Sequence, residues 1–305
     1  VEGGSYFFTV FTPTFNRAHL LPAVYSSLLA QRTNDFEWII VDDGSTDGTE
    51  TLVTSWIQKS DFPIRYIRQP NSGKHVAINR AVSVARGTLF VIIDSDDELA
   101  PGALKSIREV WLSIPEELRV RYAGVAGLCA YKDGRIVGTP FPKDNLDTNN
   151  VELRARYRVK GDKFEVFRLE VLREFPFPED LGSFVTEGLI WNRIARKYQI
   201  RCVNVIWAIK EYHPDGLSAK SILLRAKYPI AACTYYDELL NWTGRGITLP
   251  YRMRAAANFD RFSMHKGDFL PFLFSCRRYR LACAIAWPVG ALLYLRDRIV
   301  LWLRR

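Results

Sequence analysis

The first hundred residues alternate short runs of branched and aromatic residues with stretches whose apolar positions recur at helical spacing. Phe7 to Thr12 is a β-rich run, and Leu20, Leu21, Val24, Leu28 and Leu29 then line one side of a helix predicted near Leu20 to Gln31. Glu37 to Val41 reads as a second strand, a helix follows to about Lys59, and Ile64 to Arg68 reads as a third strand. A helix across Val76, Ala77, Asn79, Ala81 and Ala85 stops at Gly87. Leu89 to Ile93 is then an unbroken run of five apolar residues, the pattern of a strand buried on both faces. Repeated units of strand, turn and helix imply right-handed crossovers, so the expected class is α/β, with a doubly wound, mostly parallel sheet flanked by helices.

Beyond that run the pattern loosens. Pro101 opens a predicted helix through Leu104, Ile107, Val110 and Trp111, and Ala123 to Tyr131 reads as a further strand. Lys132-Asp133-Gly134-Arg135 has hairpin character, and the polar, turn-rich segment from Pro140 to Asn150 is expected to be a mobile loop over the site. Val203 to Lys210 is another strand. After about Ala219 helices dominate, including Leu223 to Asn241 and Pro250 to Ser263. The expected organisation is a body over residues 6–218, with a change of character near residue 100, and a helical extension over 219–305.

With 305 residues, 48% of them hydrophobic, the chain has ample core for one large domain and an extension. Its net charge of +9 is lopsided: seven Arg against one Asp lie from Arg277 onward, leaving a nearly neutral body with a basic end. No nucleic-acid partner is expected. The end combines an apolar stretch from Leu281 to Leu295, interrupted by Pro288 and Gly290, with Arg296, Arg298, Arg304 and Arg305 set among Ile299 to Leu303. A membrane span needs about 20 apolar residues, so this stretch is too short. A basic, Trp-containing amphipathic end fits a helix lying on an anionic membrane surface, and a hairpin packed on the body is the alternative. Five scattered cysteines without a Cys-x-x-Cys pair read as reduced core thiols of a cytosolic protein. Val1 to Ser5 have neither the basic segment nor the apolar run of a signal peptide and read as a remnant outside the domain.

The chemistry belongs where the run Leu89 to Ile93 breaks into Asp94-Ser95-Asp96-Asp97. In open parallel sheets ligands bind beyond the carboxyl ends of the strands, so these acids face a crevice. Three Asp within four residues repel one another and favour a hard divalent cation, Mg²⁺ or Mn²⁺, with a phosphate-bearing ligand completing its shell. A solvated turn capping the helix near Pro101 is the structural alternative. Neither Gly-x-Gly-x-x-Gly after the first strand nor Gly-x-x-x-x-Gly-Lys-Ser/Thr is present, which sets aside the usual dinucleotide and nucleoside triphosphate cradles. The loop Thr12-Pro13-Thr14-Phe15-Asn16-Arg17 instead offers amides, a hydroxyl, a ring and a guanidinium, suited to a base edge and a diphosphate.

Four segments, Thr-Pro-Thr-Phe-Asn-Arg at 12–17, Val-Asp-Asp-Gly-Ser-Thr-Asp-Gly-Thr at 41–49, Asn-Ser-Gly-Lys at 71–74 and Asp-Ser-Asp-Asp at 94–97, together resemble the nucleotide-sugar half of family 2 glycosyltransferases, inverting enzymes of the GT-A fold. The likeness covers about the first hundred residues. It implies that Pro13, Thr14, Asn16 and Arg17 line the nucleotide pocket and that Asp42 or Asp43 approaches the base. Asn71 and Lys74 would sit near the base or the diphosphate, Asp94 and Ser95 would lie on the donor side with Asp94 facing the ribose, and Asp96 would bind the metal with Asp97 behind it. The nucleotide-sugar half is then 6–100 and the acceptor half 101–218.

An acid before a helix near Glu187 resembles the catalytic base of this class, which takes the acceptor's hydroxyl proton. Gly188 replaces the second acid of the usual Glu-Asp pair, which keeps Asp180 and Glu179 open. Some relatives place a metal-binding histidine after a late strand, where His213 stands, and Gly216-Leu217-Ser218 resembles a segment folded over the diphosphate. The resemblance therefore implies a metal-dependent inverting transferase taking a nucleotide diphosphate sugar, UDP-linked, to a glycan or lipid-linked glycan in surface polysaccharide synthesis, at the cytoplasmic face of the cell membrane. Two other classes stay open at this point: a non-catalytic nucleotide-sugar-binding or assembly protein, and a metal-dependent nucleotidyltransferase.

Overall fold

The computed structural model describes residues 6–211, 216–274 and 279–303. Its first four strands, β1 (Tyr6–Thr14), β2 (Phe36–Asp42), β3 (Ile64–Arg68) and β4 (Gly87–Ile92), are parallel and lie in the spatial order β3-β2-β1-β4. The chain steps from β1 outward to β3 and then returns past β1 to lay β4 on its other side. That reversal is a topological switch point, and it opens a crevice at the carboxyl ends of β1 and β4.

The remaining strands are β5 (Asp97–Leu99), β6 (Tyr122–Ala130), β7 (Leu146–Thr148), β8 (Lys163–Arg168) and β9 (Gln199–Lys210). β8 joins β4 antiparallel, and β6 pairs antiparallel with β8 and parallel with β9. Both β5 and β7 run antiparallel to β9. The parallel arrangement read from the sequence thus holds through β4, and the second half of the sheet is mixed. Antiparallel neighbours need no crossover helix, which lets these short strands complete the sheet.

Burial on both faces explains the unbroken apolar runs. Phe8, Val10, Trp38, Ile40, Leu89 and Val91 point into one core with Leu21, Val24, Val53, Leu104 and Trp111, whereas Phe11, Ile39, Val41 and Phe90 point into the other with Ile78, Ala81, Leu189 and Trp191. The expected mobile loop is corrected by the structure. Residues 140–150 contain β7, and Phe141 N donates to Asn204 Oδ1 while Asn204 N donates to Asp144 Oδ1, so the segment is fastened to β9. The turn at 132–135 does form, with Tyr131 N on Arg135 O and Gly134 at φ 83°, but the pairing beyond it is a single bridge between Ala130 and Ile136.

The extension has a core of its own, in which Leu239, Leu240, Trp242, Ala255 and Ala256 meet Cys283 and Ala286. The helix Arg280–Leu303 continues through Pro288 and packs on the helix Leu249–Lys266. Gly290 permits the approach, since a Cβ there would fall 2.7 Å from Ala257 O. The fully buried pair of Arg261 and Asp297, with contacts of 2.5 and 2.6 Å and His265 on the same carboxylate, locks the two helices in register. Among the described residues no helix is long and apolar enough to cross a membrane.

Candidate active site

Loops at the ends of β1, β2 and β4 build the crevice. Asn16, at φ 53°, ties two of them together: its N donates to Ser45 Oγ at 2.8 Å and its Oδ1 accepts Thr46 N at 2.8 Å. Pro13 and Thr14 complete β1 beside Val41 and Asp42. Among the described residues the buried hydroxyl of Thr14 has no hydrogen-bond partner, a donor and acceptor left at the mouth of the switch point. Phe15 and Asn16 are exposed.

Asp42 and Asp43 have separate partners. Asp42, 1% exposed, accepts Ser45 N on one oxygen and the Tyr66 hydroxyl on the other. Burial, with this carboxylate accepting its hydrogen, pushes the Tyr66 phenol well up. Asp43 accepts Gln69 Nε2 and Ser72 N on Oδ1 and Gly73 N on Oδ2, each at 2.8 Å, and so shapes the loop that carries Asn71. Both carboxylates are engaged inside the protein, and Asp43, 7% exposed, is the one nearer the surface.

Asp94, Ser95 and Asp96 follow β4, and Asp97 begins β5. One oxygen from each of Asp94, Asp96 and Asp97 lies within 4.8 Å of the others. Three cations lie among these acids. Arg17 Nη1 is 3.2 Å from Asp96, Lys210 Nζ is 2.5 Å from Asp97 and 3.9 Å from Asp94, and Lys74 Nζ is 2.5 Å from Asp94. Lys74 also lies 2.7 Å from Glu187 Oε1, which brings Glu187 to the same cluster. Burial opposes charge on Lys74, but Asp94 and Glu187 overcome it and hold the ammonium above its usual range. Lys210 is raised in the same way, against burial, by Asp97 and Asp94. Asp94 is held low because Lys74 and Lys210 outweigh its burial. Asp97 is raised to about 7, by burial first and then by the neighbouring Asp94 and Asp96, even with Lys210 beside it. The all-oxygen donor set fits a hard divalent cation, which would displace Arg17 and Lys210 from the acids they neutralise.

Glu187 directly precedes the helix Gly188–Ile194, whose Ile190 and Trp191 amides bond to its carbonyl. Glu179 is held by Asn79 Nδ2 at 2.7 Å on an open groove with Arg68, Arg80 and Arg173, and Asp180 is exposed. Of the three acids considered as a base, Glu187 is thus the one the structure ties to the Asp94 cluster. His213 lies outside the described residues. Lys210 was missed in the sequence. Its signal was a charge closing an apolar strand, but its partner is set by the register Asp97↔Lys210 between β5 and β9.

Residues 9–118 match the model of the family described as Glycosyl transferase family 2. The chain is 30% identical over 196 residues to the GalNAc(5)-diNAcBac-PP-undecaprenol beta-1,3-glucosyltransferase of Campylobacter jejuni, covering 62% of this chain and 60% of that protein. It is 37% identical over 97 residues to the teichoic acid poly(glycerol phosphate) polymerase of Staphylococcus epidermidis, covering 32% of this chain and 14% of that protein. Thus the chain spans 60% or less of the length of these two relatives. Among solved structures, S. aureus TarS 1-349 in complex with UDP-GlcNAc superposes with a TM-score of 0.60 at 18% identity, over 92% of this chain and 79% of that one. The mannosyltransferase PcManGT from Pyrobaculum calidifontis, in complex with GDP-Man and Mn²⁺, gives 0.57 at 19% identity, over 96% and 88%. These likenesses establish a GT-A-like fold over nearly the whole chain.

Proposed function

We infer that this chain, which belongs to the family 2 glycosyltransferases through residues 9–118, moves a sugar from a nucleoside diphosphate donor to a hydroxyl of a glycan or lipid-linked glycan, with inversion at the anomeric carbon. The observation that carries this reading is the meeting of Asp94, Asp96 and Asp97 with Glu187 at the switch-point crevice, through Lys74 and Lys210. The donor half is 6–100 and the acceptor half 101–218. Pro13, Thr14, Asn16, Arg17 and Asp43 line the nucleotide side, with Asn71 and Lys74 on the loop that Asp43 shapes. Asp94 faces the ribose, with Ser95 beside it on the donor side. Asp42, enclosed by Ser45 and Tyr66, supports the pocket from behind.

Glu187 is the base. It removes the acceptor hydroxyl's proton as that oxygen bonds to the anomeric carbon, while the bond to the diphosphate breaks and the nucleoside diphosphate leaves with the electron pair. Mn²⁺ or Mg²⁺ held by Asp96, with His213 as a further ligand, would draw charge from the leaving diphosphate. Arg17, Lys74 and Lys210 add positive charge to the same region.

We favour UDP as the nucleotide on the likeness to TarS, complexed with UDP-GlcNAc, with GDP, carried as GDP-Man in PcManGT, as the alternative, and the undecaprenol-linked glycan of the Campylobacter relative supports a lipid-linked acceptor. A membrane-borne acceptor fits the basic amphipathic helix Arg280–Leu303, which we place on the anionic cytoplasmic surface of the cell membrane. Thermal unfolding with UDP, GDP, CMP or dTDP, each with and without Mn²⁺, tests the reading. UDP should raise the melting temperature in a Mn²⁺-dependent way, and Asp96→Ala should abolish the gain. No stabilisation by any nucleotide overturns it.

A further inference from the structure

Lys74 is shared between two carboxylates that belong to opposite sides of the reaction. Asp94 ends the donor-side strand β4, and Glu187 opens an acceptor-side helix. One ammonium touches both, at 2.5 and 2.7 Å. These two contacts are not equally replaceable. Asp94 has a second cation, Lys210, at 3.9 Å, and so keeps a positive neighbour when Lys74 turns away. Glu187 is the more exposed partner, 37% against 31%, and loses least when the ammonium leaves. An ammonium carries three donors and no acceptor, so a diphosphate arriving beside Asp94 competes directly for them.

We propose that Lys74 is a positioning residue that couples donor occupancy to release of the base. Without donor, its ammonium holds Glu187 Oε1 and keeps that oxygen from an acceptor hydroxyl. With a nucleoside diphosphate bound beside Asp94, the ammonium turns to a phosphate oxygen, and both Glu187 oxygens are left for the acceptor. Both oxygens of the base are thereby open only when there is a donor to attack. This rests on the reading of the crevice as a nucleoside diphosphate site.

Competition for one ammonium has a reciprocal consequence: removing the Glu187 charge must tighten diphosphate binding. The test is a calorimetric titration with UDP, and with GDP beside it, of wild type, Glu187→Gln, Lys74→Met and the double variant. Glu187→Gln should bind the nucleotide about fivefold or more tightly than wild type, the range expected for a coupling of this kind. The gain should vanish when Lys74→Met is the background. An equal gain in that background means simple relief of repulsion by Glu187 and overturns the proposal, as does an unchanged or weakened affinity in Glu187→Gln alone. Should Lys74→Met not fold, the single Glu187→Gln comparison still decides against it, and Lys74→Arg, which keeps the charge, must retain the gain. Wild type that binds neither UDP nor GDP sinks the reading of the site itself, a result distinct from binding without coupling.

Discussion

Asp42 and Asp43 are neighbours in the chain with unlike surroundings. Asp42 closes on Ser45 and Tyr66, and Asp43 gathers the Gln69, Ser72 and Gly73 donors. Sequence alone left the pair undivided because the deciding partner, Tyr66, sits on β3, and its reach depends on the β2–β3 register. The acids at 94–97 were legible for the opposite reason: a strand buried on both faces writes its own end into the chain as an abrupt change from apolar to charged. Glu187 was legible as an acid before a helix, whereas its contact with Lys74 spans more than a hundred residues and leaves no local trace. If Glu187 is the base, Glu187→Gln lowers kcat by about 10²- to 10⁴-fold, the usual contribution of a positioned base, while nucleotide binding persists. Turnover near the wild-type rate would return the role to Asp180 or Glu179.

At the scale of elements, the helix Lys74–Val84 begins at Gly73 with φ 100°, and a Cβ there would collide with Ser183 O. Gly73→Ala combines backbone strain with that collision, and the Asp43 clamp on the Gly73 amide would be disturbed with it. The expected result is a loss of about 1–3 kcal/mol in denaturant unfolding together with weakened nucleotide binding. Binding lost with stability intact would mean that the loop rearranges freely. In the extension, Asp260 is buried between the helices Leu249–Lys266 and Arg280–Leu303, and neither carboxylate oxygen has a partner among the described residues. Burial raises this carboxyl to about 7. In the unfolded chain it ionises near pH 4, so between about pH 4 and 7 the folded state holds a proton that the unfolded state has released. Asp260 therefore costs stability progressively as pH rises through that window, and its penalty is complete above it. Asp260→Asn should flatten this slope and raise the melting temperature at pH 7.5 but not at pH 4. A variant that melts lower at both values would show that the carboxylate has a favourable partner.

For the molecule as a whole, the helix Arg280–Leu303 carries the surface on which the proposed membrane association rests. One face, through Cys283, Ala286, Gly290 and Asp297, is buried against the extension. The opposite face exposes Leu281, Ile285, Val289, Leu292, Leu295, Ile299 and Trp302, with Trp302 73% exposed. These positions recur every three or four residues and form one stripe, with the exposed Arg280, Arg296 and Arg298 alongside. The two sequence readings of this end, packed hairpin and membrane-surface helix, are therefore compatible: one face packs while the other remains available. A stripe of this width flanked by Arg fits the boundary of an anionic bilayer, where apolar residues enter and guanidinium groups meet headgroups. Vesicles containing anionic phospholipid should carry the protein upward in flotation, neutral vesicles should carry much less, and high salt should reduce binding. Leu292→Glu with Ile299→Glu should abolish flotation while leaving the melting temperature unchanged, because both side chains lie on the open face. Retained flotation in that variant would remove the helix from the membrane. A wild-type dimer that the same substitutions dissociate would assign the stripe to a second copy of the chain instead.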